Sequence, residues 1–331
     1  MYPRKGFCFG TFVRDQVKSM EKRGVVVDKV VKRTKNPLGY FSFLSLSIYK
    51  LLFSKYDIVH AHYVPHSALI PAMIKRKPFI VRFHGDDARI FPWKNRMNYS
   101  LVKFVTNRAD KVISVSEEMK GILVNRLGAD SSKVEVISSG IDTHSFIPMD
   151  REQMRNELDL PMEKKIVLFV GRLHKLKGLD LTYECAKQTP DILYVFIGRK
   201  DGEQVATYEN CLFAGEIPRN DIPKWMNAAD ILVLPSYTEG LPNVVVESLS
   251  CGIPAVVSDV GGCPEVVKDG VTGFVVRTGD AEQLREKIVF LLSDDSLRYN
   301  MGIEGRKDVV ERYDHDRLMD KLEKVYQSLM S

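Results

Sequence analysis

The sequence predicts an α/β protein of two Rossmann-like, doubly wound domains, and three observations carry that prediction. Short apolar runs of strand type alternate with helix patterns, the signature of βα units and parallel sheets. The alternation runs twice, with a stretch punctuated by proline and charge at 145–165 between the two series. The length of 331 residues suits two domains, and 44% apolar with 27% charged residues is a globular balance that excludes a disordered or fibrous chain.

The first series opens with a helix at Thr11–Lys22, where Val13, Val17 and Met20 fall on one stripe. Strands are expected at 25–31, 58–62, 79–83, 111–115 and 134–137. After the connector and its short helix, strands are expected at 166–170, 193–197, 211–213, 231–234, 255–258 and 273–276. Helices fall between them, and two more, at 295–312 and 315–330, close the chain. The expected domains are 1–145 and 146–312, with a terminal helix at 313–331 packing back toward the first. Ligands belong at the carboxyl ends of such strands. One element is out of pattern. A doubly wound domain normally opens with an apolar strand that feeds its first helix, yet only Met1–Phe9 precede Gly10. Either Phe7–Phe9 form a stub or the first strand is missing; the expectation is a missing strand, whose central place would make its loss cost several kcal/mol.

Charge divides the chain unevenly. Residues 1–150 hold 25 Lys and Arg against 13 Asp and Glu, net +12, and residues 151–331 hold 23 against 30, net −7. The halves read as modules with different partners, or the first as a solvated basic face. Five cysteines without a CxxC pair read as thiols of a reducing compartment. No apolar run reaches the length of about 18 residues that a membrane span needs, and the N-terminus lacks the core of a signal peptide. The expected location is the cytoplasm, with a candidate peripheral contact at the inner face of the membrane.

Two segments carry chemistry. In 166–178, IVLFVGRLHKLKG, an apolar strand ends at Gly171, Arg172 follows, and Lys177 and Gly178 open the next helix. A helix N-terminus with two added cations is an anion pocket suited to phosphate; the plain alternative is a surface Arg and Lys in a loop. Neither a P-loop nor GxGxxG occurs. In 236–249, SYTEGLPNVVVESL, a strand runs into a loop carrying Glu239 and Gly240, then a helix opened by Pro242 or Asn243 with Glu247 inside it. A carboxylate among Val244, Val245, Val246 and Leu249 needs partners. Two ribose hydroxyls would serve, as would a salt bridge to a neighbouring helix. Glu239 has the position to accept from sugar hydroxyls while the Gly240 and Leu241 amides donate.

These strings, with NAADILVLPS and GGCPEVVKDGVTGFVV around them, resemble the retaining glycosyltransferases of family 4. The order GTFVRDQVKSMEKRG, DIVHAHY, VRFHGDD, ADKVISVSEEMK, VEVISSGIDTHSF agrees, so the resemblance covers nearly the whole chain. It implies a GT-B fold, with two Rossmann-like domains facing across a cleft. The donor is held mainly by the C-terminal domain and the acceptor faces the N-terminal one. It implies that Arg172, Lys177 and Gly171 hold a donor diphosphate and that Glu247 holds the ribose. Glu239 with Gly240, Leu241 and Pro242 would hold the transferred sugar, and His84 would approach that sugar from the other domain. Gly10 and Thr11 would face the phosphates, and Ile217 in the 216–218 loop would meet the base. A metal-independent, retaining transfer to a glycan or lipid-linked acceptor of the cell envelope follows, with no cofactor besides the nucleotide-sugar co-substrate. The alternatives are a non-catalytic nucleotide-sugar-binding scaffold, or a sugar epimerase or phosphorylase of the same fold.

Three further features need weighing. His60, His62 and His66 fall within seven residues and read as a metal site or as hydrogen-bonding imidazoles at a strand end. Asp314 and Asp316 fit a DxD pattern, but before a helix, where Asp314 reads as a cap. Residues 41–53, FSFLSLSIYKLLF, are apolar almost all round, in a first 60 residues of net +8. They read as a helix buried on the sheet or as one that docks on an anionic membrane. Nucleic acid is not an expected partner, since no binding module accompanies the charge.

Overall fold

A computed structural model describes residues 11–32, 37–200 and 208–330. Two compact units divide the chain, Met1–Ser139 with Asp316–Ser331 and Gly140–His315, where the sequence reading sets boundaries at 145 and 312.

The first unit opens with α1 (Thr11–Lys22) and α2 (Pro37–Phe53). Then β1 (Val59–His62), α3 (Leu69–Ile74), β2 (Phe79–Arg82), α4 (Asp86–Arg89) and α5 (Arg96–Arg108) follow, and β3 (Lys111–Ser114), α6 (Glu117–Gly121) and β4 (Val134–Val136) complete the series. The four strands are parallel in the order β1-β2-β3-β4. A row Ala61–Val81–Val112–Val134 crosses them in register, each side chain buried, as a sheet covered on both faces requires. The strand expected at 25–31 does not form. Val25 and Val27 pack on the core and Val26, Asp28 and Lys29 are exposed, but these residues join no ladder among the described residues. An apolar run alone does not make a strand without a paired neighbour. The expected missing strand, Met1–Phe9, and Gly10 lie outside the described residues.

The second unit begins with α7 (Arg151–Glu157), β5 (Ile166–Val170), α8 (Leu179–Gln188), β6 (Leu193–Ile197) and β7 (Cys211–Gly215). Next come α9 (Ile222–Ala228), β8 (Ile231–Leu234), α10 (Asn243–Ser250), β9 (Ala255–Ser258), α11 (Cys263–Val266) and β10 (Gly273–Val276). Finally α12 (Ala281–Ser293) and α13 (Asp295–Tyr313) pack on this sheet's helical layers. The sheet is parallel, in the order β10-β9-β8-β5-β6-β7. Along β5, Ile166 and Leu168 enter one core and Val167 and Phe169 the other, so this strand is buried on both faces. Acidic caps start the helices: Asp150, Asp280 and Asp294 accept from the amides of Gln153, Gln283 and Leu297 at 2.7, 2.9 and 2.8 Å. Helix α14 (His315–Met330) belongs to the first unit, where Leu318, Met319, Leu322 and Val325 meet Met20, Ile80, Ile113 and Ile137.

No helix among the described residues is long and apolar enough to cross a membrane. The described cysteines, Cys185, Cys211, Cys251 and Cys263, are free thiols.

Candidate functional site

In the second sheet the chain leaves β5 toward β6 on one side, while β8, on its other side, leads on to β9 and β10. Beside such a reversal two strand ends part and leave a crevice. A cavity of about 280 Å³ opens there, walled by Val170 and Gly171 from the end of β5, Leu234 from the end of β8, and Lys177, Glu239, Leu241, Pro242 and Glu247.

Lys177 reaches this cavity because of the residue that follows it. A short 3-10 turn, Lys175–Lys177, is capped by His174, whose Nδ1 accepts from the Leu176 amide at 3.1 Å. Gly178 then starts α8 with φ of +75°, and a Cβ there would stand 2.0 Å from the Pro235 carbonyl oxygen. Only glycine allows both the left-handed turn and that approach. The result puts Lys177 Nζ 2.6 Å from Glu239 Oε1.

Glu239 is held from three sides. Ser236 Oγ donates to the same Oε1 at 2.8 Å. Gly261, at φ +57°, lies so close under the loop that a Cβ would fall 2.2 Å from the Glu239 carbonyl oxygen, and the Gly262 amide donates to Gly240 at 2.8 Å. The glycine pair before α11 therefore buttresses the loop that carries the carboxylate.

Glu247 lies in α10 with 11% of its side chain exposed, and Arg219 Nη2 stands 3.0 Å from its Oε1. Burial raises the Glu247 pKa and the Arg219 charge works against that rise. The salt bridge that the sequence offered as one partner is made by Arg219 of a 3-10 turn (Arg219–Asp221) after β7. Both buried carboxylates thus have a cation in contact, which a buried charge requires.

The structure brings Gly171, Lys177, Glu239, Leu241, Pro242 and Glu247 around one cavity. Gly240 sits within the same loop. Arg172 follows Gly171 and is exposed, and Ile217 is half-buried against the core near Ile222. A larger hollow of about 550 Å³ lies at the opposite, amino ends of the strands, near Arg151, Asp230 and Arg298. Its centre is a structural ion network: Asp230 accepts from Arg155 at 2.9 Å, Arg151 at 3.0 Å and the Ile166 amide at 2.7 Å, tying α7 to the sheet.

In the first unit, His84 follows β2. The buried Asp87 fixes its loop, Oδ1 accepting from the amides of His84 and Gly85 at 2.9 Å each and Oδ2 from Val64 at 3.3 Å. Burial nonetheless pushes the Asp87 carboxyl up to about 6. The histidines of β1 face His84: His62 Nδ1 lies 3.1 Å from His84 Nε2, and His60 Nδ1 lies 2.7 Å from the Tyr326 hydroxyl. Burial holds all three imidazoles neutral, His60 down to about 3. No cluster that could hold a metal occurs among the described residues. Thr11 begins α1, and Asp314 accepts from Thr143 Oγ1 at 2.6 Å. Arg219, Ser236, Asp87 and Tyr326 were not visible from sequence. Ser236 alone had a signal, the S-x-x-E spacing to Glu239.

The family model for "Glycosyl transferases group 1" matches residues 150–308, and that for "Glycosyltransferase Family 4" matches 9–145. A curated relative, the D-inositol 3-phosphate glycosyltransferase of Mycobacterium marinum, is 30% identical over 280 residues, which are 76% of this chain and 57% of that protein. The chain thus spans little more than half the length of that relative. Among solved structures, sucrose-phosphate synthase from Thermosynechococcus elongatus matches with a TM-score of 0.83 at 21% identity, covering 97% of this chain and 93% of that one. Anabaena HepE in complex with UDP matches at 0.79 and 21%, covering 95% and 89%. The fold is GT-B.

Proposed function

The chain belongs to glycosyltransferase family 4, the group 1 glycosyl transferases, and from that membership we propose that it moves a sugar from a nucleoside-diphosphate sugar to a glycan or lipid-linked acceptor, with retention at the anomeric carbon. The observation that supports this most is the cavity beside the β5–β8 reversal, where Gly171, Lys177, Glu239 and Glu247 converge.

Breaking the bond between the anomeric carbon and the diphosphate builds positive charge on the sugar ring and negative charge on the leaving phosphate. Arg172, Lys177 and the first turn of α8 stabilise the phosphate. Both bonds to Glu239 fall on Oε1, and Oε2 is the atom we assign to a sugar hydroxyl. Glu247 accepts from the ribose. In a same-face displacement, the acceptor oxygen bonds to the anomeric carbon as the carbon–oxygen bond to the diphosphate breaks, and the acceptor proton passes to the leaving phosphate. No side-chain base is assigned. A basic first half, net +12, favours an anionic acceptor, and the mycobacterial relative is named for a phosphorylated one.

The test is a thermal-shift series of nucleoside mono- and diphosphates, beginning with UDP, which the HepE structure holds, followed by turnover of the sugar form of the best binder. A diphosphate should raise Tm more than its monophosphate, and its sugar donor should release nucleotide faster when acceptor is present. No response to any diphosphate would end the reading. Binding without transfer or donor hydrolysis would identify a scaffold, and nucleotide release without transfer an epimerase-type activity.

A further inference from the structure

Helix α2 turns only part of its apolar surface inward. Among its residues 39–53, Gly39, Ser47 and Leu51 are buried at multiples of four, and Phe43, Leu44 and Leu52 are half-buried. Ser47 satisfies its hydroxyl by donating to the Phe43 carbonyl at 2.7 Å. Meanwhile Phe41 and Phe53 are each 73% exposed and Tyr49 is 60% exposed. A surface helix of a water-soluble domain keeps its outer face polar, whereas this one carries large apolar side chains there as well.

The exposed apolar surface continues beyond α2. Helix α2 packs beside α3, and α3 beside α5, and these neighbours expose Met73, Met97 and Phe104. Single exposed apolar residues are ordinary, but large apolar side chains exposed on each of three adjoining helices point to an interaction surface.

Its charge is equally one-sided. Helices α2, α3 and α5 contain no Asp or Glu. Residues 29–109 hold 15 Lys and Arg against 3 Asp and Glu, net +12. That equals the excess of the whole first half, so the basic character is concentrated on this segment. Lys94, Arg96 and Lys103 stand exposed beside Met97 and Phe104.

We infer that the α2–α3–α5 face docks on the surface of a lipid bilayer rich in anionic headgroups, with α2 lying in the plane of the interface. Apolar side chains insert and the cations meet the headgroups. A soluble polyanion would use the cations but gives no reason to expose Phe41, Phe53 and Met97. A second copy would oppose a like net charge. Docking stands on these exposed faces alone and does not depend on the transfer reaction.

The test is flotation of the full chain with vesicles of phosphatidylcholine alone or mixed equally with phosphatidylglycerol. The native chain should float with the mixed vesicles, weakly or not at all with the neutral ones, and less at high salt. Phe41→Ser with Phe53→Ser should weaken mixed-vesicle binding about tenfold or more, with Tm and nucleotide binding unchanged. Should that pair lower Tm, Lys94→Glu with Arg96→Glu replaces it and should reduce the same binding. The inference is overturned if the native chain ignores mixed vesicles, binds neutral ones as tightly, or keeps its binding in a folded variant. Retention on heparin without vesicle binding would assign a polyanion surface instead. Self-association lost in the phenylalanine variant, without vesicle binding, would assign a contact between copies.

Discussion

In Gly140–His315 the buried acids are given cations: Glu239 meets Lys177 at 2.6 Å, Glu247 meets Arg219 at 3.0 Å, and Asp230 meets Arg155 at 2.9 Å. In the other unit the buried groups beside His84 are kept neutral or held by amides. His60, His62 and His84 are stripped of charge by burial, and Asp87 is held by backbone N–H groups, with no ion pair among the described residues. The difference teaches what each surface is prepared to meet. A nucleoside diphosphate arrives with fixed charge and hydroxyls, so a site for it benefits from charges already oriented. A sugar that becomes positive as its bond breaks would be repelled by a cationic imidazole. If His84 faces that sugar, as the family pattern implies, its neutrality removes the repulsion while leaving a ring nitrogen for hydrogen bonding.

The largest test strikes the cation that follows β5. Arg172→Ala should lower kcat by about 10²–10³, the usual loss when one fixed donor to developing charge is removed. Steady-state turnover with saturating donor measures this, and near-native turnover would take Arg172 out of the diphosphate assignment. The same substitution should leave vesicle binding by the first unit unchanged.

A second test addresses the acid without a cation. Burial raises Asp87 from 3.8 to about 6, so the folded chain binds this proton more tightly than the unfolded chain does. Stability from this group is therefore highest below about pH 4, declines as pH rises toward about 6, and then levels off. The size is roughly 2–3 kcal/mol at about 1.4 kcal/mol for each pH unit. Urea unfolding of the native chain and Asp87→Asn across this window measures it as the difference between the two, which cancels the buried histidines common to both: the native chain should lose stability relative to the variant as pH rises from about 4 to 6. A difference of opposite sign, with the native chain gaining stability relative to Asp87→Asn as pH rises, would mean that Asp87 is stabilised as an anion after all, and the contrast between the units would collapse.

Much of the second unit was legible because its strands are buried on both faces. Five of them, Ile166–Val170, Leu193–Ile197, Ile231–Leu234, Ala255–Ser258 and Gly273–Val276, run over the expected residues, since short continuous apolar runs leave little choice. Residues 25–31 misled because an apolar, β-branched run reports only a preference for extended backbone, and pairing is a tertiary fact. Helix α2 was legible as a helix but not in orientation: an all-round apolar sequence has no preferred face, and the small residues Gly39 and Ser47 decide which side seats. At the cavity, Gly171, Lys177, Glu239 and Glu247 were legible from βα spacing and from the family strings. Arg219 was not, because its partnership with Glu247 spans β8 and two helices and leaves no local pattern.

Arg219 gives the smallest and most discriminating test. Its guanidinium is partly exposed and stands above a buried carboxylate whose pKa burial has already raised. If ribose binding needs Glu247 ionised, affinity for a nucleoside diphosphate weakens as pH falls through the Glu247 pKa. Removing the opposing charge raises that pKa further and moves the loss to higher pH. Arg219→Ala should therefore weaken nucleotide binding more at acidic pH than at pH 8, with Arg219→Lys recovering part of the loss. Titration calorimetry at the two pH values reads this directly. An equal loss at both would mean that Arg219 touches the nucleotide itself, and the second unit would then hold one more ligand contact in place of a charge partner for Glu247.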